Sequence, residues 1–399
     1  MKVLVINAGS SSLKYQLINT DNNELLAKGL FERIGIEGGM LTHTTTGKEK
    51  MHWDIELENH AKAISVLIET LTNKDYGVVS SMSEIDAVGH RVVHGGESFS
   101  GSVLITEAVM KALDECTELA PLHNPPNITG IKACEELMPG VPQVAVFDTA
   151  FHQTMPKEAY LYAIPMEYYD KYKIRRYGFH GTSHKFVSMR AAEMLGKPIE
   201  DLKIVTCHLG SGSSIAAVDG GKSVETSMGF TPLAGIAMGT RSGDIDPAIV
   251  DYLAQKEGIS SADVINILNK KSGVLGVSGI GSDFRDLLEN CKPENKEKAQ
   301  VALDVFVHSV KKYIGAYAAI MGGIDVLVFT AGVGENTVYI REAVTESLGF
   351  MGIKIDKELN NVKGVERDIS TPDATVKTLI IPTNEELMIA LDTKKIVNK

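Results

Sequence analysis

The chain has 399 residues, 44% of them hydrophobic and 23% charged, which is enough for two or three domains with a core each. Forty basic residues against 51 acidic ones leave a formal charge of −11, which argues against a nucleic-acid backbone or an anionic membrane surface as partner. No apolar run reaches the ~20 residues of a membrane span, the N-terminus does not read as a signal peptide, and Cys116, Cys134, Cys207 and Cys291 form no CxxC pair, so reduced thiols in a cytoplasmic chain are expected.

In chain order, Lys2–Asn7 is a short apolar, β-branched run expected to be a buried strand. It ends in Ala8-Gly9-Ser10-Ser11-Ser12 and resumes as the alternating Leu13–Leu17, the pattern of a hairpin. Val144–Ala150 predicts a strand running into a small-residue turn, with the boundary between two halves near residue 150. His184–Leu195 predicts a helix ended by Gly196, while Gly181 argues against helix at that earlier point. Lys203–Val218 then repeats the first hairpin at a gapless shift of 201, setting Gly9 on Gly210, Ser10 on Ser211 and Ser12 on Ser213. Asp246-Pro247 opens a helix that closes near Gly258. Lys292–Lys298 is a charged, solvated stretch. Leu303, Phe306, Val310, Ile314 and Tyr317 mark one face of a helix stopped by Gly322-Gly323. The strand Asp325–Thr330 follows, then a loop Ala331–Asn336 and a helical pattern from Thr337. Val326–Gly332 resembles Val144–Ala150. Two repeated pairs in the same order predict a duplicated domain.

The glycine-serine turns are the first candidates for chemistry. A small-residue turn at the end of a buried strand leaves backbone N–H groups open, and such a nest binds anions, phosphate above all. Ser10, Ser12 and Lys14 add hydroxyls and one mobile charge. Two such turns facing across a cleft would grip a polyphosphate from both sides; one alone reads sooner as a plain turn. No GxxxxGK[ST] occurs and no GxGxxG follows a strand, so the P-loop and Rossmann readings lose their main support. His180 and His184 lie four apart, but no third ligand accompanies them and zinc is not expected. Arg91 and Arg241 stand among glycines, where a guanidinium fork is well placed for carboxylate or phosphate oxygens; a structural ion pair is the other use of either. His123 precedes the rigid Asn124-Pro125-Pro126. Asp148 ends a buried strand, costly for a carboxylate without a partner or metal. Glu385 begins the last helix, where capping would also account for it.

Together, Asn7–Lys14, His180-Gly181-Thr182-Ser183-His184, His208–Gly212 and Gly332–Asn336 resemble the acetate kinase family, over essentially the whole chain from residue 3 to Asn384-Glu385. The resemblance implies a duplicated actin-like ATPase (ribonuclease H-like) α/β fold with a cleft between its domains. The expected domains are residues 1–150, with the C-terminal helix 386–399 packing back on them, and residues 151–385, which bind nucleotide. It implies a cytoplasmic homodimer that uses Mg-ATP, with Mn able to substitute, to phosphorylate acetate, giving acetyl phosphate and ADP reversibly. Carried over residue by residue, it assigns Asn7 and Glu385 to the metal. Lys14 and His208, Leu209, Gly210, Ser211 and Gly212 go to the phosphates. Asp283, Phe284 and Arg285 with Gly332, Val333, Gly334, Glu335 and Asn336 go to the adenosine. Arg91 and Arg241 serve the acyl substrate and the transferring group, His180 stabilises that group, and Asp148 is the family's catalytic acid. Val93, Leu122, Phe179 and Pro232 form the pocket for the acetate methyl, with His123 beside it.

Acetate, with a carboxyl pKa near ~4, is already ionised at neutral pH and needs no general base. Repulsion between two anions is the obstacle, so positive charge and in-line placement are the expected devices. On that argument Asp148 orients metal-bound water or the Arg/His set and takes no proton. Three alternatives stand beside this reading. A propionate or butyrate kinase would need only small repacking around Val93 and Pro232. A non-enzymatic nucleotide switch of the same fold would have no use for Arg91 and His180. A sugar kinase would want a base and a polar pocket.

Overall fold

The structure, a computed structural model, describes residues 1–399 and comprises two compact units, Met1–Gln153 with Asn384–Lys399, and Thr154–Thr383. In the first unit eight strands form one sheet: β1 (Lys2–Ala8), β2 (Ser12–Asn19), β3 (Glu24–Glu32), β4 (Met40–Thr45), β5 (Met51–Asp54), β6 (Ala87–Val92), β7 (Val103–Leu104) and β8 (Gln143–Phe147), in spatial order 5-4-3-2-1-6-8-7. Alternation along β1 decides which helices cover which face. Leu4, Ile6 and Ala8 share a core with Leu13, Tyr15 and Leu17, with Ala63, Ile64 and Leu67 of α1 (His60–Leu71), and with Ala133 and Cys134 of α2 (Asn124–Leu137). Val3 and Val5 face the other way and pack with Val144, Val146 and Ile389 of α9 (Glu385–Val397).

The second unit has β9 (Lys203–Leu209), β10 (Ser213–Asp219), β11 (Lys222–Thr226), β12 (Val326–Thr330), β13 (Arg367–Asp368) and β14 (Lys377–Ile380), in order 11-10-9-12-14-13. Its helices include α3 (Gly181–Leu195), α4 (Ala248–Glu257), α5 (Phe284–Leu288), α6 (Lys296–Met321), α7 (Ala331–Asn336) and α8 (Val338–Thr345). Leu303, Phe306, Val310, Ile314 and Tyr317 of α6 are all buried, and Gly322 ends that helix in the left-handed conformation, as their spacing predicted. In each unit an antiparallel meander (β1-β2-β3, β9-β10-β11) is followed by two strands parallel to its first member (β6 and β8, β12 and β14). The α/β core is built twice, as expected.

Four details differ from the sequence reading. Val144–Ala150 and Val326–Gly332 are not topological equivalents: β12 lies beside β9 as β6 lies beside β1, while β8 lies one place further out, where β14 lies. Both β8 and β12 are completely buried, so their apolar composition does not distinguish adjacent positions in a parallel sheet. The two hairpins also differ by a residue. Ala8 faces Leu13 across the first turn, but Leu209 faces Ser213 across the second, which is one residue tighter than the gapless alignment requires. Residues 331–336 form α7 instead of a loop. A β-carbon on Gly334 would meet the Phe329 and Cys207 backbones at 3.4 and 3.6 Å, so this glycine serves a close helix–strand approach rather than a turn. Finally, α3 begins at Gly181, three residues before the predicted start, because His180 turns the chain into it with φ of 55°. The four cysteines are unpaired, three of them buried. No helix is long and apolar enough to cross a membrane.

Candidate functional site

In the first unit, Asn7 and Lys14 lie directly opposite each other across the β1–β2 pair and so share a face. The turn between these strands closes with the Gly9 amide donating to the Ser12 carbonyl at 2.8 Å, which leaves the Ser10 and Ser11 amides open. Two side chains outside the motif hold this end of β1. His60 donates from Nε2 to the Gly9 carbonyl at 2.7 Å, and Asn127 donates to the Ala8 carbonyl at 2.7 Å while accepting from the Val93 amide at 3.1 Å. Asn127 thereby ties the end of β1 to the end of β6, where Arg91 stands.

Arg91 donates two parallel hydrogen bonds to Asp148, from Nε at 3.0 Å and from Nη2 at 2.6 Å. Asp148 follows β8 and is 2% exposed, so the buried carboxylate has its partner in Arg91, and the Asp148 charge pushes the guanidinium pKa up. Glu385 opens α9 but does not cap it; the cap is Asn384, which accepts from the Leu387 amide at 3.0 Å. Burial raises the Glu385 carboxyl to about 7, with Arg91 pulling it down, Asp148 pushing it up and Lys14 a weaker pull down. Of the acyl-pocket residues assigned to this unit, Val93 is half-buried, Leu122 is 78% exposed and His123 is exposed just ahead of α2.

In the second unit the Gly210–Gly212 turn is braced by Ser213, whose hydroxyl donates to the Gly210 carbonyl at 2.9 Å. The Gly210 amide is used within the turn, while those of Ser211 and Gly212 stay open. A β-carbon on Gly212 would lie 3.5 Å from Arg241 Nη1 and 3.7 Å from His180 Nε2, so the bare glycine leaves a small cradle walled by these two groups. Arg241 has no carboxylate partner. Its guanidinium meets the Pro232 carbonyl at 3.2 Å and the Met238 sulfur at 3.8 Å, and burial pulls its pKa down. His208, near the end of β9, stacks on His180 with ring centroids 4.1 Å apart. Phe179 is buried and Pro232 half-buried.

A cavity of about 460 Å³ lies beside this turn, lined by Gly210, Ser211, Asp283, Phe284, Arg285, Gly332, Val333 and Asn336. Ser282, Glu289, Thr337 and Lys363 line it too and were missed by the sequence reading. Asp283 caps α5 and pairs with Arg285 at 2.5 Å, while most of Phe284 is buried against Phe306. Glu335 accepts from the Thr383 amide at 2.9 Å, so its carboxylate braces the neighbouring chain. The buried Arg341 of α8 donates to the Gly334 carbonyl at 2.9 Å and fixes α7. Thr383 and Arg341 lie outside the motifs they contact.

A profile of the acetokinase family matches residues 2–391. The chain belongs to the acetokinase family. It is 64% identical over 397 residues to an acetate kinase from Thermoanaerobacterium thermosaccharolyticum, covering 100% of this chain and 99% of that one. Among solved structures it is similar to the acetate kinase of Porphyromonas gingivalis, with a TM-score of 0.96, 49% identity and 99% of both chains covered. It is also similar to a propionate kinase from Francisella tularensis, with a TM-score of 0.91, 41% identity and 99% of both chains covered.

Proposed function

We propose that this acetokinase transfers the γ-phosphoryl group of ATP reversibly to acetate, giving acetyl phosphate and ADP. The observation that carries the reading is Arg241, a guanidinium without a counter-ion beside a glycine turn that has two open amides. A desolvated, uncompensated charge is costly unless an anion arrives to match it. Arg241, His180 and the turn amides bind the transferring phosphoryl group, and the cavity lined by Asp283, Arg285, Gly332 and Asn336 takes the adenosine. Lys14, with Ser10 and Ser12, contacts phosphate from the first unit. Arg91 takes the acetate carboxylate, oriented by its two bonds to Asp148, while Val93, Leu122, Phe179 and Pro232 contact the methyl group and His123 lies beside them.

Asn7 and Glu385 suit a divalent cation. They offer hard oxygen donors, and Glu385 is half-buried with its strongest attraction to Arg91, a cation already engaged by Asp148. A site with so few protein ligands fits magnesium, or manganese in its stead, because magnesium keeps waters and substrate phosphates as its other ligands. When bound it supplies charge that offsets the phosphate oxygens. Asp148 acts through Arg91, since an ionised acceptor needs no proton removed. The same reading makes the protein a cytoplasmic homodimer.

The test mixes purified protein, Mg-ATP and hydroxylamine with formate, acetate, propionate and butyrate in turn. Acetyl hydroxamate formed fastest at limiting acid supports the proposal. Faster trapping with propionate or butyrate would move the acceptor to a longer acid, and ATP binding without any hydroxamate would count against phosphoryl transfer altogether.

A further inference from the structure

Behind the His180 ring runs a chain of short hydrogen bonds that the reaction described above does not use. His180 Nδ1 is 2.9 Å from Ser214 Oγ, His184 Nε2 is 2.8 Å from that same oxygen, and His184 Nδ1 is 2.7 Å from Thr206 Oγ1. Ser214, His184 and Thr206 are completely buried. Each hydroxyl has one hydrogen to give, which lets the direction of the chain be worked out. Thr206 has two acceptors in reach, His184 Nδ1 at 2.7 Å and the Ala216 carbonyl at 3.5 Å, and the second is at the limit of a hydrogen bond. Its hydrogen therefore goes to His184 Nδ1. That leaves His184 to donate from Nε2 to Ser214, and Ser214 to donate onward to His180 Nδ1.

The surroundings of His180 favour the same direction. His180 sits at the N-terminus of the 15-residue α3, whose dipole disfavours an imidazolium there. Arg241 Nη1 and His180 Nε2 both lie within 4 Å of one point beside Gly212, and the His208 ring is stacked against His180. The helix dipole and the Arg241 charge both favour a neutral ring over an imidazolium at this place. To donate to an anion from Nε2, a neutral ring must carry its hydrogen there and accept at Nδ1.

We propose that Ser214 and His184 are positioning residues that hold His180 in the Nε2–H tautomer, so that a neutral imidazole donates a hydrogen bond to an anionic group at the Gly210–Gly212 turn. The inference rests on the role given to His180 above, but the tautomer itself can be read without turnover. Nitrogen NMR of histidine-labelled protein, with His180 assigned from the signals lost in His180→Gln, distinguishes a hydrogen-bearing from a bare ring nitrogen. The expected result at neutral pH is a hydrogen-bearing Nε2 and a bare Nδ1, with that preference lost in Ser214→Ala. In the same variant kcat falls about tenfold or more while KM for ATP and for the acid moves less than threefold, because the His180 donor is misdirected while Arg241, the turn amides, Arg91 and the adenosine cavity still hold the substrates. His184→Gln keeps a donor toward Ser214 and an acceptor toward Thr206, so it retains more activity than His184→Phe. It also serves should Ser214→Ala fail to fold. A hydrogen on His180 Nδ1, on either nitrogen alone in equal mixture, or on both, overturns the proposal, as does an unchanged kcat in Ser214→Ala. A correct tautomer in a protein that forms no acyl phosphate would leave this inference standing and count against the proposed reaction alone.

Discussion

The Arg91–Asp148 pair offers the most direct test of how the acceptor end is organised. In Arg91→Ala the Asp148 carboxylate, 2% exposed, loses both of its charge-assisted hydrogen bonds. Breaking a buried pair from one side costs about 3–5 kcal/mol, and this site should fall within that range. Asp148→Ala strands the guanidinium instead. The Arg91 side chain keeps 25% exposure, so water shares the burden and about 2–3 kcal/mol is expected. The double variant strands neither charge and should lose less than the sum of the single losses by about 2 kcal/mol or more. Urea unfolding of the four proteins gives the cycle. Single losses that add to within about 0.5 kcal/mol would mean the pair does not form in solution. A kinetic arm uses Asp148→Asn, which keeps one acceptor for Arg91 and removes the charge. If Asp148 only orients Arg91, turnover falls about 10- to 100-fold with the shape of the pH–rate profile intact. Loss of one limb of that profile would instead make Asp148 a proton donor or acceptor.

Three further outcomes follow from the geometry. A β-carbon on Gly89, in β6, would lie 2.4 Å from Thr393 Oγ1 and 2.8 Å from Ile389 Cγ2, so Gly89→Ala should cost about 1–3 kcal/mol by lifting α9, with Thr393→Ala restoring part of it; no loss in thermal unfolding would contradict the packing described. Gly212→Ala meets only ordinary contacts at 3.5–3.7 Å, so it should fold normally yet fill the cradle and raise KM for ATP about tenfold or more; unchanged steady-state kinetics would remove that cradle from the phosphate site. Burial lowers the pKa of His90, bonded to Gln143 at 2.6 Å, to about 4, against about 6.5 in an unfolded chain. Between those values the unfolded state binds the extra proton, so stability is full above pH ~6.5 and falls by up to about 3 kcal/mol as the pH drops toward 4. His94 carries a shift in the same direction. Urea midpoints for the wild type and His90→Gln should therefore converge as pH falls, and parallel curves would refute the assignment.

What the sequence determined by itself is local. The two glycine-serine turns are legible because a β-branched run, a cluster of small residues and a second alternating run are contiguous, and the α6 face is legible because its spacing repeats every helical turn. Arg91, Arg241 and His180 stand out as chemistry-bearing residues among glycines. Glycine itself misled at residues 181 and 331–336, both of which are helical, and at Gly334 it permits a close helix–strand approach, a purpose that local pattern does not separate from turning the chain. Only the tertiary structure decided which side chain meets which. Asp148 pairs with Arg91 because β6 and β8 are neighbours in the sheet, and their order is set by burial on both faces, which leaves no distinguishing pattern along either strand. Asn127 bridges β1 and β6, and Ser214 stands between two histidines, for the same reason: hydrogen-bond partners far apart in the chain are chosen by sheet order and helix placement, and neither is written in the residues that flank them.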